Sequence, residues 1–209
     1  MKHDVALKVA EALVGELGPA CGRIEIAGSL RRSKPEVKDI EIVAVPDLTL
    51  LPRPVPAFGQ PIPKWHKTKL DQVLAEMVEA GAIEVKMNGN RMKKFHLKYA
   101  GIWVDLFLNV PPSEWGVQYV IRTGPKEFGE WCVTNKGRGG ALPDGLFVKH
   151  QVVWVEREID KRDVPDDQDK ALKLLTPTNH LSMPEEIDFL KLCGLDWLEP
   201  GERRARWAR

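Results

Sequence analysis

The chain has 209 residues, of which 43% are hydrophobic and 29% are charged, and its formal net charge is only +1 at pH 7. These values are typical of a soluble globular protein with one large domain or two small ones, and they exclude a strongly basic protein. No apolar run is long enough to cross a membrane, and the first residues lack the apolar core of a signal peptide, so we expect no membrane contact.

The first half of the chain alternates between the helical and the strand pattern of apolar residues. An opening helix is expected to end at Gly18-Pro19, and Gly28-Ser29 predicts a turn into a short helix that Ser29 caps. Six prolines within 46–63 predict a long exposed loop. The other expected elements of this half are a helix at 70–81 and strands at 23–27, 39–45, 83–87, 92–99 and 102–110.

The second half is expected to be mostly helical. Pro111-Pro112 interrupts the pattern, and we place a domain boundary there. A last helix is expected to begin with a capping box of Ser182 and Glu185. The other expected elements are helices at about 113–122 and 126–136 and a short β section at 146–156. The predicted organisation is a leading helix (1–20), a first subdomain (21–112) and a second subdomain (113–209).

Three carboxylates stand out because they interrupt apolar strands. Asp39 and Glu41 alternate along one predicted strand and therefore share a face, and Asp105 lies within the apolar stretch IWVDLFL. Three acids on neighbouring strands repel one another unless cations neutralise them, and hard oxygen ligands of this kind suit Mg²⁺ or Mn²⁺. The alternative is that Asp39 and Glu41 lie on a solvated face and that Asp105 pairs with a lysine.

A second motif, upstream of the acid pair, has the residues of an anion site. Gly28 permits close approach of the backbone, Ser29 adds a hydroxyl, and Arg32 offers a guanidinium that grips two phosphate oxygens. Combined with the three acids, this arrangement predicts a site for two metal ions and a triphosphate.

Positive charge is concentrated in two places, the predicted hairpin and the C-terminal tail. Lys93 and Lys94 represent the first cluster, and Arg203 and Arg204 the second. We predict that these four residues contact nucleic-acid phosphates. The alternative for each cluster is an ordinary solvated face.

The stretch GSLRRSKPEVKDIEI resembles the nucleotidyltransferase signature of the DNA polymerase β superfamily, and specifically that of the family X polymerases. The resemblance extends over nearly the whole chain after residue 20. The further matching stretches are KLDQVLAEMVEAG (palm helix), GNRMKKFHL (hairpin), VDLFL (third carboxylate), IRTGPKEF (start of the thumb) and PEEIDFLKLCGLDWLEPGER (C-terminal helix). The resemblance implies an α+β fold. Its palm would have a mixed sheet with helices on one face, and a smaller, mostly helical thumb with a short β section would follow.

The resemblance also implies residue roles around the metals. Asp39 and Glu41 would bridge two Mg²⁺ (or Mn²⁺) ions, and Asp105 would bind the catalytic ion. Ser29 and Arg32, with the backbone at Gly28, would hold the β and γ phosphates of a nucleoside triphosphate.

Further implied roles concern the sugar and base of the nucleotide. Thr123 and Gly124 would line the sugar pocket beside Ile121, and Phe128 would lie near the base. Family members have a cis peptide after the Thr-Gly pair, so we expect a cis bond between Gly124 and Pro125.

The chain departs from the family pattern at several points. Glu41 replaces the usual Asp, Ile121-Arg122 replaces an aromatic pair that crowds the sugar 2′ position, and Gly129 replaces an Asn that contacts the base. The sequence has no counterpart of the family's lyase and helix-hairpin-helix modules. The expectation is therefore a palm and thumb with one leading helix.

We predict a reduced family X DNA polymerase that transfers a nucleotide to a DNA primer 3′-hydroxyl, as a monomer in DNA repair. Three well-separated cysteines without a CxxC pair predict neither a disulfide framework nor a zinc site, so we expect an intracellular, cytoplasmic setting, such as a nucleoid or a viral host cell. Two alternatives stay open. One is a nucleotidyltransferase acting on an RNA end, a protein or a small molecule, and the other is a catalytically inactive nucleic-acid-binding module.

Overall fold

A computed structural model describes residues 1–48 and 68–206. Most of the proline-rich segment predicted as a loop therefore lies outside the described residues. In the described part the chain is α+β, as predicted, with these helices and strands in chain order: α1 (His3–Leu17), β1 (Cys21–Ile26), α2 (Gly28–Arg31), β2 (Asp39–Pro46), α3 (Lys69–Glu79), β3 (Ile83–Asn88), β4 (Met92–Leu97), β5 (Ile102–Leu108), α4 (Trp115–Thr123), α5 (Lys126–Cys132), β6 (Leu146–Lys149), β7 (Val152–Val155), α6 (Gln168–Leu172), β8 (His180–Leu181) and α7 (Glu186–Leu192).

The chain forms two compact units. Unit 1 comprises Met1–Ile26 and Lys38–Leu108, and unit 2 comprises Ala27–Val37 and Asn109–Arg209. The change from unit 1 to unit 2 at Leu108 lies close to the boundary predicted at Pro111-Pro112. The structure differs from the prediction in the segment 27–37, which carries the Gly-Ser motif and packs with the second half of the chain.

Unit 1 is built on a five-stranded mixed sheet of order β1-β2-β5-β4-β3, in which only β2 and β5 are parallel neighbours. One face of this sheet is mainly apolar, because alternate residues of each strand point the same way. Its central residues are all buried: Ile40, Ile42, Phe95, Leu97, Val104 and Leu106. The mixed sheet expected from the sequence is confirmed.

Helix α3 packs on this apolar face, and its position is fixed at the start by a capping box. The Thr68 hydroxyl accepts a hydrogen bond from the Asp71 backbone, and the Asp71 carboxylate accepts one from the Thr68 backbone. Lys93, on β4, reaches the same carboxylate with 2.6 Å between Nζ and Oδ1, and it also donates to the Asn88 side chain. Burial raises the pKa of Asp71, but the bonds from Lys93 and Thr68 outweigh burial and hold this pKa below its ordinary value.

Lys93 is therefore not the exposed phosphate contact that we predicted. Only 5% of the residue is accessible, because odd-numbered residues of β4 point towards α3. Lys93 connects the hairpin to the helix and is a structural residue in this arrangement.

Unit 2 combines a helical core with a three-stranded sheet of order β6-β7-β8. Helix α4 lies so close to the segment before α7 that a side chain at Gly116 would overlap the Glu185 carbonyl. The Gly116 amide instead donates to the Met183 carbonyl at 2.9 Å. Side chains from α4, α5 and α7 form the core of this unit, among them Val117, Val120, Phe128, Trp131, Phe189 and Leu190.

Local predictions for unit 2 need three corrections. Ala27, and not Ser29, is the N-cap of α2, and no side chain caps this helix. The capping box of α7 joins Glu185 and Asp188, because Ser182 directly follows β8 and still belongs to the extended connection. Helix α6 was not predicted, since its five residues are too few to show a period.

The expected cis bond between Gly124 and Pro125 is wrong. In the described part of the chain the cis peptide bond joins Pro111 and Pro112. Gly124 has the extended backbone (ψ 161°) that residues before a trans proline favour.

Replacing Lys93 by Met should lower the free energy of unfolding by about 1–3 kcal/mol, because the carboxylate of Asp71 and the amide of Asn88 lose their partner. The matched control is Lys98→Met on the same hairpin, where an exposed cation is removed and a change within about 0.5 kcal/mol is expected. Urea unfolding followed by circular dichroism measures both. Equal effects of the two substitutions would contradict the structural role of Lys93.

Candidate active site

The three predicted carboxylates lie on the same face of the unit 1 sheet, opposite the apolar face. In the parallel pair β2–β5, Glu41 is in register with Asp105, and Asp39 is in register with Trp103. Residues in register project from the same side of a sheet, and alternate residues along a strand do so too. Asp39, Glu41 and Asp105 therefore define what we call the carboxylate face.

A lysine already holds one of the three carboxylates. Lys94, on β4, is in register with Asp105, and its Nζ lies 2.6 Å from the Asp105 Oδ1. The two side chains are 25% and 15% exposed, so the pair is largely shielded from solvent. The relative orientation of the Lys94 ammonium and the Asp105 carboxylate makes this contact an ion pair and not a well-directed hydrogen bond. This is the pairing that the alternative interpretation of Asp105 predicted.

The donor set nevertheless fits a hard divalent cation in its chemistry. All three groups are carboxylates on adjacent strands, and oxygen ligands are those that Mg²⁺ and Mn²⁺ prefer. Asp105 already attracts a cation, and Asp39 makes no ion pair in the described part of the chain. No group of three or more His, Cys, Asp or Glu side chains is close enough to form a ready-made metal site among the described residues. A metal ion bound at Asp105 Oδ1 would compete with the Lys94 ammonium for that oxygen.

In unit 2, the Gly-Ser segment is fastened to the end of α4, where the predicted sugar-binding residues lie. Gly28 has a positive φ of 61°, a conformation that glycine adopts without strain, and α2 starts there. The Nη1 of Arg32 donates to the carbonyls of Thr123 (2.6 Å) and Gly124 (3.1 Å). The structure thus brings together two segments of the predicted nucleotide site that are about 90 residues apart. It assigns Arg32 a positioning contact, and its predicted phosphate contact stays a prediction.

A second arginine, Arg31, also connects the Gly-Ser segment to the end of α4, and it binds a buried acid, Glu186, that was not predicted from the sequence. Both amino groups of Arg31 donate to the Glu186 carboxylate at 2.8 Å, and Nη1 also donates to the Thr123 hydroxyl. The guanidinium lies 4.1 Å from the centre of the Tyr119 ring. Arg203 donates to the same carboxylate at 2.6 Å. The Arg31-Arg32 pair was a signal for a nearby acid, since two adjacent cations need partners. The acid that binds Arg31 is 155 residues away in the sequence, so no local pattern identifies it.

Arg203 is fully buried, and this placement does not fit the phosphate contact that we predicted for it. Its guanidinium is engaged with Glu186 and with the Leu198 carbonyl. Arg204 is exposed, and its Nη1 donates to the Gly201 and Arg203 carbonyls. Of the four predicted nucleic-acid contacts, Lys93 and Arg203 are buried structural residues.

The predicted sugar and base residues lie around the junction of α4 and α5. Thr123 is buried, with its hydroxyl on Arg31, and Ile121 is half-buried against the core of unit 2. Phe128 is completely buried and packs against Gly124, where an added Cβ would lie 2.6 Å from its ring. Phe128 therefore supports the backbone at Gly124 and does not present its ring to solvent.

Comparison with protein-family models and with curated proteins found no match to this chain. The described part of the chain has no helix that combines the length and the apolar character needed to cross a membrane.

Replacing Lys94 by Met should tighten Mn²⁺ binding by about ten-fold, because a charge-assisted contact of about 1.5 kcal/mol no longer competes for Asp105. Free Mn²⁺ measured by electron paramagnetic resonance during a titration gives the affinity directly. Lys98→Met, at an exposed lysine of the same hairpin, should leave the affinity unchanged. Weaker or equal binding in the Lys94 variant would show that Asp105 is not a metal ligand.

Glu186 should make unit 2 sensitive to acid. Burial raises the pKa of Glu186, but hydrogen bonds and charge from Arg31 and Arg203 outweigh burial, so the folded-state pKa lies below the ordinary value of 4.5. Ionised Glu186 thus stabilises the fold above this pH, and the stabilisation is lost as the pH falls through the folded-state pKa.

Glu186→Gln should therefore cost about 3–5 kcal/mol at neutral pH and should remove part of the loss of stability on acidification. Urea unfolding at a series of pH values measures both effects. The control is Glu158→Gln, which removes a solvent-exposed ion pair with Arg157 and should change stability by less than about 1 kcal/mol. An unchanged pH dependence in the Glu186 variant would contradict the assignment.

Proposed function

We propose that the protein is a metal-dependent nucleotidyltransferase that adds a nucleotide from a nucleoside triphosphate to the 3′-hydroxyl of a nucleic-acid primer, as a reduced family X DNA polymerase. The observation that carries this proposal is the carboxylate face. On this face Glu41 is in register with Asp105 across a parallel strand pair, and Asp39 precedes Glu41 by two residues. The Lys94 ammonium is paired with Asp105. The resemblance of the surrounding motifs to family X supports the same conclusion.

Asp39, Glu41 and Asp105 would hold two Mg²⁺ or Mn²⁺ ions, which supply acidification of an attacking hydroxyl and neutralisation of the triphosphate. The strands contribute rigidity, because the three carboxylates project from hydrogen-bonded backbone and not from a loop. The apolar opposite face fixes the register, since a slip of β2 by one residue would bury Asp39 and Glu41. Lys94 keeps Asp105 neutralised when no metal is bound.

The resemblance also implies nucleotide-binding roles for residues of unit 2. Ser29 and Arg32 would hold the β and γ phosphates, and Thr123 and Gly124 would line the sugar pocket. The contacts of Arg31 and Arg32 with Thr123 and Gly124 support this proposal, because they keep the two segments in a fixed arrangement. Preorganised groups of this kind lower the cost of binding.

A second candidate is nucleotide transfer to a different acceptor, such as an RNA end, a protein or a small molecule. The burial of Lys93 and Arg203 favours it, because two of the four predicted DNA contacts are not available at the surface. The chemistry on the carboxylate face is the same for both candidates, so only the acceptor separates them.

Asp105→Asn should lower the rate of nucleotide transfer by about 100-fold or more, since the charge that holds a metal is lost while the shape is kept. The matched control is Glu25→Gln, which removes an acid that pairs with Arg23 on the same sheet face and should retain activity. Extension of a labelled primer with Mg²⁺ or Mn²⁺ measures the rate, and thermal unfolding verifies the fold. Near-normal turnover of the Asp105 variant would contradict the proposal.

The acceptor is identified by offering the same labelled nucleotide to a DNA primer, a gapped DNA template, an RNA oligonucleotide and the protein itself. Templated extension of DNA supports the polymerase, and untemplated labelling of RNA or protein supports the second candidate. Absence of transfer to all acceptors with both metals would refute nucleotidyl transfer as the function.

A further inference from the structure

A half-buried tryptophan, Trp103, lies on the carboxylate face beside the acids. It is in register with Asp39 on β2 and with His96 on β4, and it precedes Asp105 by two residues. The His96 and Trp103 rings are tilted with 5.1 Å between their centroids. On the opposite face of the same strands the large side chains are completely buried, so Trp103 is not a core residue of the kind seen there.

Two lysines surround this indole. The Nζ of Lys86 lies 5.5 Å from the ring centroid, and that of Lys94 lies 6.0 Å away. Lys86 is exposed and sits at the irregularity of β3 between Val85 and Met87. Both ammonium groups lie within the distance of about 6 Å from the ring centroid at which a cation interacts with an aromatic ring.

An indole with flanking ammonium groups is chemically matched to a nucleotide. The ring offers a stacking surface for a base, and stacking on aromatic side chains is a common way to hold single-stranded nucleic acid. The ammonium of Lys86 provides the positive charge for a neighbouring phosphate. In a nucleic acid every base is linked to a phosphate at a fixed spacing, and a polypeptide acceptor has no such regular pairing of a flat ring with an anion.

We propose that Trp103, with His96 and Lys86, seats the terminal nucleotide of the acceptor, and that the acceptor is the single-stranded 3′ end of a nucleic acid. We call these three residues the acceptor platform. The inference rests on the proposed function, and it names the residues that would hold the acceptor end. The base stacks on the indole, and the ribose faces the carboxylates, because Trp103 is the direct neighbour of Asp39 and lies on the same strand as Asp105.

Glu84 provides an internal test of the role of charge at the platform. It is exposed and in register with His96, so it projects from the same face as the acceptor platform. Its negative charge opposes the approach of a phosphate. Glu84→Gln should strengthen binding of the acceptor end, whereas Lys86→Met should weaken it and reduce its dependence on salt.

The direct measurement uses a short oligothymidine with the fluorescent base 2-aminopurine at its 3′ end, without triphosphate, in Ca²⁺ to prevent chemistry. Stacking on the indole quenches the probe. Trp103→Ala should weaken binding by about ten-fold and remove the quenching, and Trp103→Phe should retain part of both. The same probe at the 5′ end should show less quenching, and an RNA version distinguishes a ribose from a deoxyribose end.

The matched control is Trp197→Ala. Trp197 is an exposed tryptophan with the Arg203 guanidinium 5.7 Å from its ring centroid, and it belongs to unit 2, whereas the three carboxylates belong to unit 1. This variant should bind and quench like the unchanged protein. If Trp103→Ala binds the probe and quenches it as strongly as the unchanged protein does, the platform is overturned. The platform is also overturned if Trp103→Phe loses both binding and quenching and unfolds at a lower temperature, because Trp103 would then be a structural residue.

The design separates failure of the platform from failure of the proposed function. Binding with 3′ quenching but no transfer in any metal would retain the platform and refute the transferase. Full transfer to a DNA or RNA end by Trp103→Ala would retain the transferase and refute the platform. Transfer to protein alone would refute the platform as well.

Discussion

The structure of unit 1 depends on one electrostatic constraint, which is the placement of Glu41 directly beside Asp105 in a parallel strand pair. Like charges in register on neighbouring strands destabilise a sheet, so this arrangement persists only with a cation nearby. Lys94 supplies that cation, with its ammonium at 2.6 Å from Asp105. Such a pair is compatible with a metal site because a divalent ion would compete with the lysine for the same oxygen. The acceptor platform lies on the same face and depends on the same strands.

The strand pattern made much of unit 1 predictable. Alternation alone placed Asp39 and Glu41 on one face, and the apolar neighbours of Asp105 in the sequence were enough to mark it as unusual. The same alternation also separates Lys93 from Lys94. One residue along β4 decides between a buried contact with Asp71 and an ion pair with Asp105. The prediction treated both lysines as one basic surface because it counted charge along the sequence and did not apply the period of two.

Unit 2 was less predictable because its key contacts join residues that are distant in sequence. Glu186 binds Arg31 and Arg203, and no local pattern shows which acid a buried arginine will meet. The family resemblance implied that Phe128 lies near the base, whereas the helical core of unit 2 buries its ring completely. The predicted cap at Ser29 failed for a local reason: α2 begins at Gly28, so Ser29 lies inside the helix and Ala27 is the N-cap. Long-range pairing, and not local propensity, determines this junction.

The central claim is that Asp39, Glu41 and Asp105 form a site for divalent metals. The most direct measurement is anomalous diffraction from crystals grown with Mn²⁺ and a non-hydrolysable nucleoside triphosphate. We expect manganese peaks within bonding distance of all three carboxylates, at about 2.0–2.2 Å from their oxygens, and a Lys94 ammonium that has moved away from Asp105. Diffraction without a manganese peak at these residues, and with Lys94 still paired to Asp105, would contradict it.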